Sequence, residues 1–245
     1  MKILILGGTR EARDIAETVT GDQRLAIVSS LAGRVRDPVL PVGPVRVGGF
    51  GGVDGLRGWL AANDIDAVVD ATHPFAGTIS AHAAAAATAR GLPVLHVRRP
   101  GWQAGPDDRW IRVPGMAAAA EAVAELGPRI FLTIGRQEVA AFADLTRQWF
   151  LIRAIDPPTA ALPPEHELLL ARGPFAVEDE MRLLTGRRIA ALVTKDSGGE
   201  LTAAKLAAAR ACHIPVVMID RPPLPAGAAI AESAAAAVDW LRTVR

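Results

Sequence analysis

The sequence has no tyrosine, one cysteine and only three lysines, Lys2, Lys195 and Lys205. Without tyrosine there is no catalytic Tyr–Lys couple of the short-chain dehydrogenase kind. Cys212 alone rules out an intrachain disulfide and every Cys-x-x-Cys zinc or redox motif, and its neighbours place it late in a helix as a buried, inert thiol. Aromatic residues make up 4% of a chain that is 50% hydrophobic, so the core must be aliphatic. That is the composition of parallel sheets covered by alanine-rich helices. A formal charge of +1 argues against a nucleic-acid partner held by bulk electrostatics. No apolar run approaches the ~18 residues of a membrane span. Ile3-Leu4-Ile5-Leu6 is too short for a signal h-region and is ended by Gly7-Gly8. The expectation is a cytoplasmic protein with no membrane partner. Walker A, nucleophile-elbow and His-Glu-x-x-His patterns are missing. His82, His96, His166 and His213 show no metal-ligand spacing and are expected to be structural.

Short apolar runs alternate with helical segments along the whole chain, the pattern of βαβ units. Strands are predicted at Lys2–Leu6, Leu25–Val28, Val45–Val47, Ala67–Asp70, Val94–Val97, Trp110–Val113, Arg129–Thr133, Phe150–Ile152, Glu167–Leu170, Ile189–Val193 and Val216–Ile219. Helices are predicted at Arg10–Val19, Val53–Asn63, Phe75–Ala89, Met116–Leu126, Gln137–Ala143, Val177–Leu184, Leu201–Ala211 and Ala231–Leu241. Ser29–Pro44 carries three prolines, which shortens or removes the helix expected there, and Pro100–Arg109 reads as an excursion loop. A fresh strand follows Gly127-Pro128, so the domain break is expected there, between domains 1–127 and 128–245. Gly8-Thr9-Arg10-Glu11 is echoed by Gly135-Arg136-Gln137-Glu138, each after the first strand of its half. The predicted architecture is α/β: two Rossmann-like domains, each a doubly wound parallel sheet, with a cleft between them.

A dinucleotide pyrophosphate needs a tight turn after a strand, backbone N–H groups free to approach it, and a helix N-terminus aimed at its charge. Gly7, Thr9 and Ala12 occupy the three positions of G-x-G-x-x-G/A, with Gly8, Arg10 and Glu11 completing the turn. Thr9 departs from the pattern, but its hydroxyl could donate to a phosphate. The other reading is a strand–helix turn that needs glycine for positive φ and binds nothing. NAD enzymes place an acidic residue about 20 residues on, to accept from the ribose 2′-hydroxyl. Here that region is Ser29-Ser30-Leu31-Ala32-Gly33-Arg34. Two hydroxyls and Arg34 suit a 2′-phosphate and therefore NADPH; alternatively Arg34 and Arg36 only solubilise a proline-rich loop. Gly48-Gly49, at the same edge, either lets the backbone pass close to the adenine or ribose or is a plain loop.

The strand Ala67–Asp70 should lie beside the first, across the point where strand order reverses, outside which ligands bind. Its carboxyl end runs into Thr72-His73-Pro74. Thr72 and His73 are thus placed where a nicotinamide meets its hydride acceptor, and His73 could protonate or orient a substrate. The other reading of His73 is a plain helix-entry residue before Pro74. In the second half Lys195-Asp196-Ser197-Gly198-Gly199 ends a strand and opens a helix. The N–H groups of Ser197, Gly198 and Gly199 form an anion nest to which Lys195 adds a full charge, unless Ser197 serves only as a helix cap. Arg136 and Gln137, at the parallel position, would face the same crevice, and Arg172 adds a possible third cation.

Taken in order, the segments Ile5-Leu6-Gly7-Gly8-Thr9-x-Glu11-Ala12, Ser29–Arg34, Asp70-Ala71-Thr72-His73-Pro74-Phe75-Ala76, Thr133-Ile134-Gly135-Arg136-Gln137 and Thr194–Gly199 resemble the precorrin-6A reductase family of cobalamin biosynthesis. The resemblance implies NADPH-dependent reduction of a double bond in the precorrin-6A macrocycle, giving precorrin-6B, with the substrate between two Rossmann-like domains. Such a substrate carries acetate and propionate side chains for Arg136, Lys195 and the nest to bind. A conjugated macrocycle accepts hydride readily, so orientation and electrostatics are the main demands on the protein, and no catalytic acid is assigned. A non-catalytic NADPH sensor would also keep the glycine turn, but it leaves the Lys195 nest unexplained. If Arg34 reads the 2′-phosphate, Arg34→Ala will lower the preference for NADPH over NADH in a binding titration; an unchanged preference refutes that role.

Overall fold

The computed structural model describes residues 1–33 and 36–244. In chain order the elements are β1 (Lys2–Leu6), α1 (Arg10–Val19), β2 (Ala26–Leu31), β3 (Val45–Val47), α2 (Gly52–Ala62), β4 (Ala67–Asp70), α3 (Gly77–Thr88), β5 (Val94–Val97), β6 (Trp110–Val113) and α4 (Met116–Ala124). There follow β7 (Arg129–Thr133), a 3₁₀ turn at Val139–Phe142, β8 (Trp149–Ala154), β9 (His166–Leu170), α5 (Val177–Gly186), β10 (Ala191–Lys195), α6 (Ala204–Ala211), β11 (Val216–Ile219), β12 (Ala229–Ala231) and α7 (Ala234–Thr243). Among the described residues no helix is long and apolar enough to cross a membrane.

The strands form two six-stranded sheets in which every neighbouring pair is parallel. The first has the order β3-β2-β1-β4-β5-β12 and the second β9-β8-β7-β10-β11-β6. Both follow the doubly wound 3-2-1-4-5-6 scheme. The first sheet takes its sixth strand, β12, from the chain beyond the second sheet, and the second takes β6, which precedes all its other strands. The expected break at Gly127-Pro128 is therefore corrected. β6 and α4 precede it in sequence, yet β6 pairs with β11 in the second sheet, and β12 returns to pair with β5. The compact units are Met1–Pro100 with Pro222–Arg245, and Gly101–Arg221. The Pro100–Arg109 stretch, expected as an excursion loop, is the segment that leads from the first sheet to the second.

Burial on both faces explains the near-continuous apolar strands. In β1, Ile3 and Ile5 face a cluster with Ile15 and Ala16 of α1 and Val238 and Leu241 of α7, while Leu4 and Leu6 face Leu56 and Leu60 of α2 and Ala83 and Ala87 of α3. In the second unit Phe131, Leu192 and Met218 pack with Leu184 of α5 and Leu206 of α6. Three local expectations fail for physical reasons. The segment Gln137–Ala143 makes only the 3₁₀ turn, whose period brings Val139 and Phe142, three apart, onto one face where both are fully buried. The helix predicted from Leu201 starts at Ala204. β12 went unseen because Ala-Ile-Ala carries little strand propensity of its own; pairing with β5 makes it a strand.

α7 is thus core of the first unit although it is distant in sequence from the strands it covers. Leu241→Ala should cost about 2–5 kcal/mol, read as a shifted urea midpoint; a cost below about 0.5 kcal/mol, typical of surface changes, would remove α7 from that core.

Candidate functional site

Parallel pairing puts the carboxyl ends of β1, β2, β3 and β4 on one edge of the first sheet, so the predicted cofactor residues there are neighbours. The Gly7 N–H donates to the Ser30 carbonyl at 2.9 Å, joining the turn to the end of β2. A Cβ at Gly7 would meet the Ala12 Cβ at 3.2 Å, which fixes how closely α1 enters. Gly8 has φ of 111°, and nothing lies within 4 Å of where its Cβ would stand. The N–H groups of Gly8 and Thr9 make no hydrogen bond among the described residues. This is an open, donor-lined turn ahead of a helix N-terminus, and a pyrophosphate fits it.

The Thr9 hydroxyl does not play the part expected of it. Thr9 is the N-cap of α1: its Oγ1 accepts from the Ala12 N–H at 3.2 Å and donates to the Ala71 carbonyl at 2.6 Å. The proton is committed, so a phosphate would meet the Thr9 backbone N–H and not the hydroxyl. Arg10 is exposed and pairs with Asp14 along the helix at 3.5 Å. Glu11 is gripped by Arg99, whose Nη1 lies 2.9 Å from both carboxylate oxygens. Burial opposes the charged form of Glu11, but its own backbone N–H and the Arg99 guanidinium outweigh this and hold its carboxyl below the usual range.

At the end of β2, Ser29 and Ser30 are both buried. Ser29 Oγ has no hydrogen-bond partner among the described residues, whereas Ser30 Oγ accepts from Arg46 Nη1 at 2.9 Å. Arg34 lies outside the described residues. Arg46, on β3, is the arginine that sequence reasoning missed. Its guanidinium also donates to the carbonyls of Gly48 and Gly49 at 2.9 and 3.0 Å and lies 3.8 Å from the Phe50 ring centroid. The two glycines thus serve to hold a cation at this edge. One polar residue in a three-residue Val-Arg-Val strand was the available signal.

Beside β1, Asp70 ends β4 with 3% exposure. Its Oδ1 accepts from the Thr72 N–H at 3.1 Å and from Thr72 Oγ1 at 2.6 Å; Oδ2 lies 2.9 Å from Nδ1 of buried His96. Burial favours the neutral acid, but hydrogen bonds from His96, Ser80 and Thr72 prevail and lower its pKa. His73 is exposed, and its Nδ1 accepts from the Phe75 N–H at 3.2 Å, which leaves Nε2 as the N–H of the neutral ring.

In the second unit, the loops after β7 and β10 meet. Lys195 pairs with Glu138, and Arg136 Nη1 lies 3.5 Å from Asp156 Oδ2. Gln137 is exposed beside them. Arg172 follows β9, an edge strand separated from β10 by β8 and β7. The expected nest is smaller than drawn. The Ser197 N–H turns back onto the Lys195 carbonyl at 2.7 Å, and Ser197 caps no helix, because α6 begins only at Ala204. Gly198 and Gly199, with φ of 64° and 80°, keep the open N–H groups. Asp196 is corrected outright as a substrate ligand. It is 5% exposed, and its carboxylate is taken up by the Trp102 N–H at 3.0 Å, Arg112 Nη2 at 3.1 Å and Arg221 Nη2 at 3.8 Å. A Cβ at Gly101 would stand 2.8 Å from Asp196 Oδ2, so the incoming chain must pass as glycine there.

With this geometry in place, the class is clear: a two-unit Rossmann-like α/β protein with a glycine turn at the switch point of its first sheet, as in dinucleotide enzymes. The chain belongs to the precorrin-6x reductase CbiJ/CobK family, whose model matches residues 2–242, and is accordingly an oxidoreductase. It is 57% identical over 243 residues to a precorrin-6A reductase of Rhodococcus erythropolis, covering 99% of this chain and 98% of that one. It is 54% identical over 242 residues to a precorrin-6A reductase of Mycobacterium tuberculosis, covering 98% and 97%. A solved structure of CobK precorrin-6A reductase matches with a TM-score of 0.91 at 41% identity, over 99% of this chain and 96% of that chain.

One buried group near this edge titrates unusually. Lys205, 5% exposed, donates to the Thr202 carbonyl at 2.8 Å and lies 4.8 Å from the Trp102 ring centroid. Burial, helped by the charge of Arg153 and opposed by Glu180, lowers its pKa to about 7. Between that value and the ordinary 10.5, the unfolded chain binds more protons than the native one, so this group makes stability rise with pH across the window. From pH 8 to 10, wild type should gain stability over Lys205→Met by on the order of 1 kcal/mol per pH unit in urea unfolding; parallel pH profiles would contradict a depressed pKa.

Proposed function

We propose that the chain reduces precorrin-6A to precorrin-6B with NADPH, in the cytoplasm. Identity of 57% to a precorrin-6A reductase over 99% of the chain carries the substrate assignment. The cofactor assignment draws its support from the first sheet edge. The Gly7–Ala12 turn suits a pyrophosphate. Ser30 stands where an NAD enzyme would carry an acid, and Arg46 sets a guanidinium beside it. Arg46 spends three N–H bonds on Ser30, Gly48 and Gly49, and a guanidinium has five N–H donors, so donors remain for a 2′-phosphate. In this reading Gly8, Thr9, Arg10 and Ala12 line the pyrophosphate, Glu11 holds Arg99 beside it, Ser29 and Ser30 accompany Arg46 at the ribose, and Gly48 and Gly49 lie by the adenosine.

NADPH supplies the hydride when bound, and the reaction needs one proton besides. The residues of the chain orient the two partners. Thr72 and His73 stand at the β4 end, where the nicotinamide and the substrate would meet, and His73 would orient or protonate the substrate. In the second unit Arg136, Gln137, Lys195, Gly198 and Gly199 would receive substrate carboxylates. Each of the two cations already holds an acid, Asp156 for Arg136 and Glu138 for Lys195, and a substrate carboxylate would take that acid's place.

The direct test is anaerobic mixing with NADPH and precorrin-6A, followed at the nicotinamide absorbance. NADPH oxidation with formation of precorrin-6B is expected. Tight binding of NADPH without oxidation would mark a sensor instead. Arg46→Met should weaken NADPH at least tenfold and NADH by less than threefold; equal losses would remove Arg46 from the 2′-phosphate site.

A further inference from the structure

The buried Asp70 cluster has one property that concerns direction of hydrogen bonding. Asp70 Oδ1 accepts twice from Thr72, and the carboxylate also faces His96 Nδ1 and the Ser80 hydroxyl. An ionised carboxylate has no proton to give. The 2.6 Å contact must therefore be Thr72 Oγ1–H donating to Asp70, in the range of charge-assisted O–H···O bonds. With its only proton spent, the half-buried Thr72 hydroxyl can offer just its lone pairs to anything beyond the β4 end. Thr9 Oγ1, which donates to the Ala71 carbonyl, clamps the same loop from the turn side, so Thr72 is fixed from two directions.

We propose that Asp70 is a positioning residue that makes Thr72 an obligatory acceptor, and that Thr72 Oγ1 receives an N–H of the nicotinamide carboxamide and so sets which face of the ring looks toward the substrate. This rests on the NADPH reading above. Of the two ends of the carboxamide, only the amide nitrogen can donate, so an acceptor-only hydroxyl fixes the turn of the carboxamide about its bond to the ring; a half-turn about the glycosidic bond would carry the whole group away from Thr72, so the contact also holds one ring face toward the substrate. A hydroxyl free to rotate could serve the carbonyl end as well and would leave the carboxamide free to turn.

The test compares binding of NADPH with that of its reduced 3-acetylpyridine analogue, which keeps the carbonyl but has a methyl group in place of the amide nitrogen. Isothermal titration calorimetry measures both, with 2′,5′-ADP as a ligand lacking the nicotinamide half. Wild type should bind NADPH about five- to tenfold more tightly than the analogue, the size of one net hydrogen bond. Thr72→Val should lose that preference by weakening NADPH alone, and Thr72→Ser should keep it. Asp70→Asn should lose it while 2′,5′-ADP affinity stays within twofold of wild type. Equal affinity of wild type for the two reduced cofactors, or a Thr72→Val variant that keeps the preference, overturns the proposal and leaves the cofactor assignment standing. Failure of wild type to bind either NADPH or 2′,5′-ADP overturns the cofactor assignment itself, and this proposal with it.

Discussion

Parallel pairing is the constraint from which the rest of each unit follows. A parallel strand can be followed by another only after a crossover; here the crossovers from β2 to β3 and from β8 to β9 carry no helix, the one from β7 to β8 carries a 3₁₀ turn, and the helices of the others pack on the sheet faces. All carboxyl ends then lie on one edge, and the loops that leave them are brought together whatever their separation in sequence. Gly7 reaches Ser30, Thr9 reaches Ala71, and Arg46 reaches Ser30 for this reason alone. In the second unit the same geometry brings Glu138 to Lys195 and Thr133 to the Val193 carbonyl.

Both edges share an electrostatic habit. Cations there are held by carboxylates or carbonyls: Arg99 by Glu11, Arg46 by two glycine carbonyls, Lys195 by Glu138, Arg136 by Asp156. Such pairing spares a long side chain the entropy loss it would otherwise meet on ordering around a ligand. Deeper in the second unit, Arg153 and Glu180 form a buried two-point ion pair at 2.5 and 3.0 Å, and Lys205 beside them is left with one carbonyl and an aromatic face. The depressed pKa of Lys205 follows from this neighbourhood, since desolvation is met by a second cation as well as by an acid.

The legible part of the sequence was the part written in local pattern. β1, α1, β3, β4 and β5 lie at their predicted bounds, because an apolar run ended by glycine, or a threonine cap before an amphipathic stretch, is self-sufficient information. That the glycine turn, the two serines and the Thr72-His73 loop lie at or just after strand ends was legible in the same way. Arg46, Asp70 and Arg99 were not, since each owes its place to a partner far away in the chain: Ser30 for Arg46, His96 for Asp70, Glu11 for Arg99. Asp196 was misread because a motif cannot tell an acid that meets a ligand from one sealed by Trp102, Arg112 and Arg221.

The sequence alone determined the α/β class, the two-sheet plan and the family, because apolar period, glycine placement and motif order need no knowledge of what lies across the sheet. Tertiary structure alone decided where one unit ends and the next begins. The pairing of β6 with the second sheet and of β12 with the first depends on which edge has an unpaired strand to offer, and an edge exists only once the other five strands are in place. It also decided the direction of each hydroxyl at the first edge, Thr9 toward Ala71 and Thr72 toward Asp70, since a hydroxyl donates or accepts according to its neighbours.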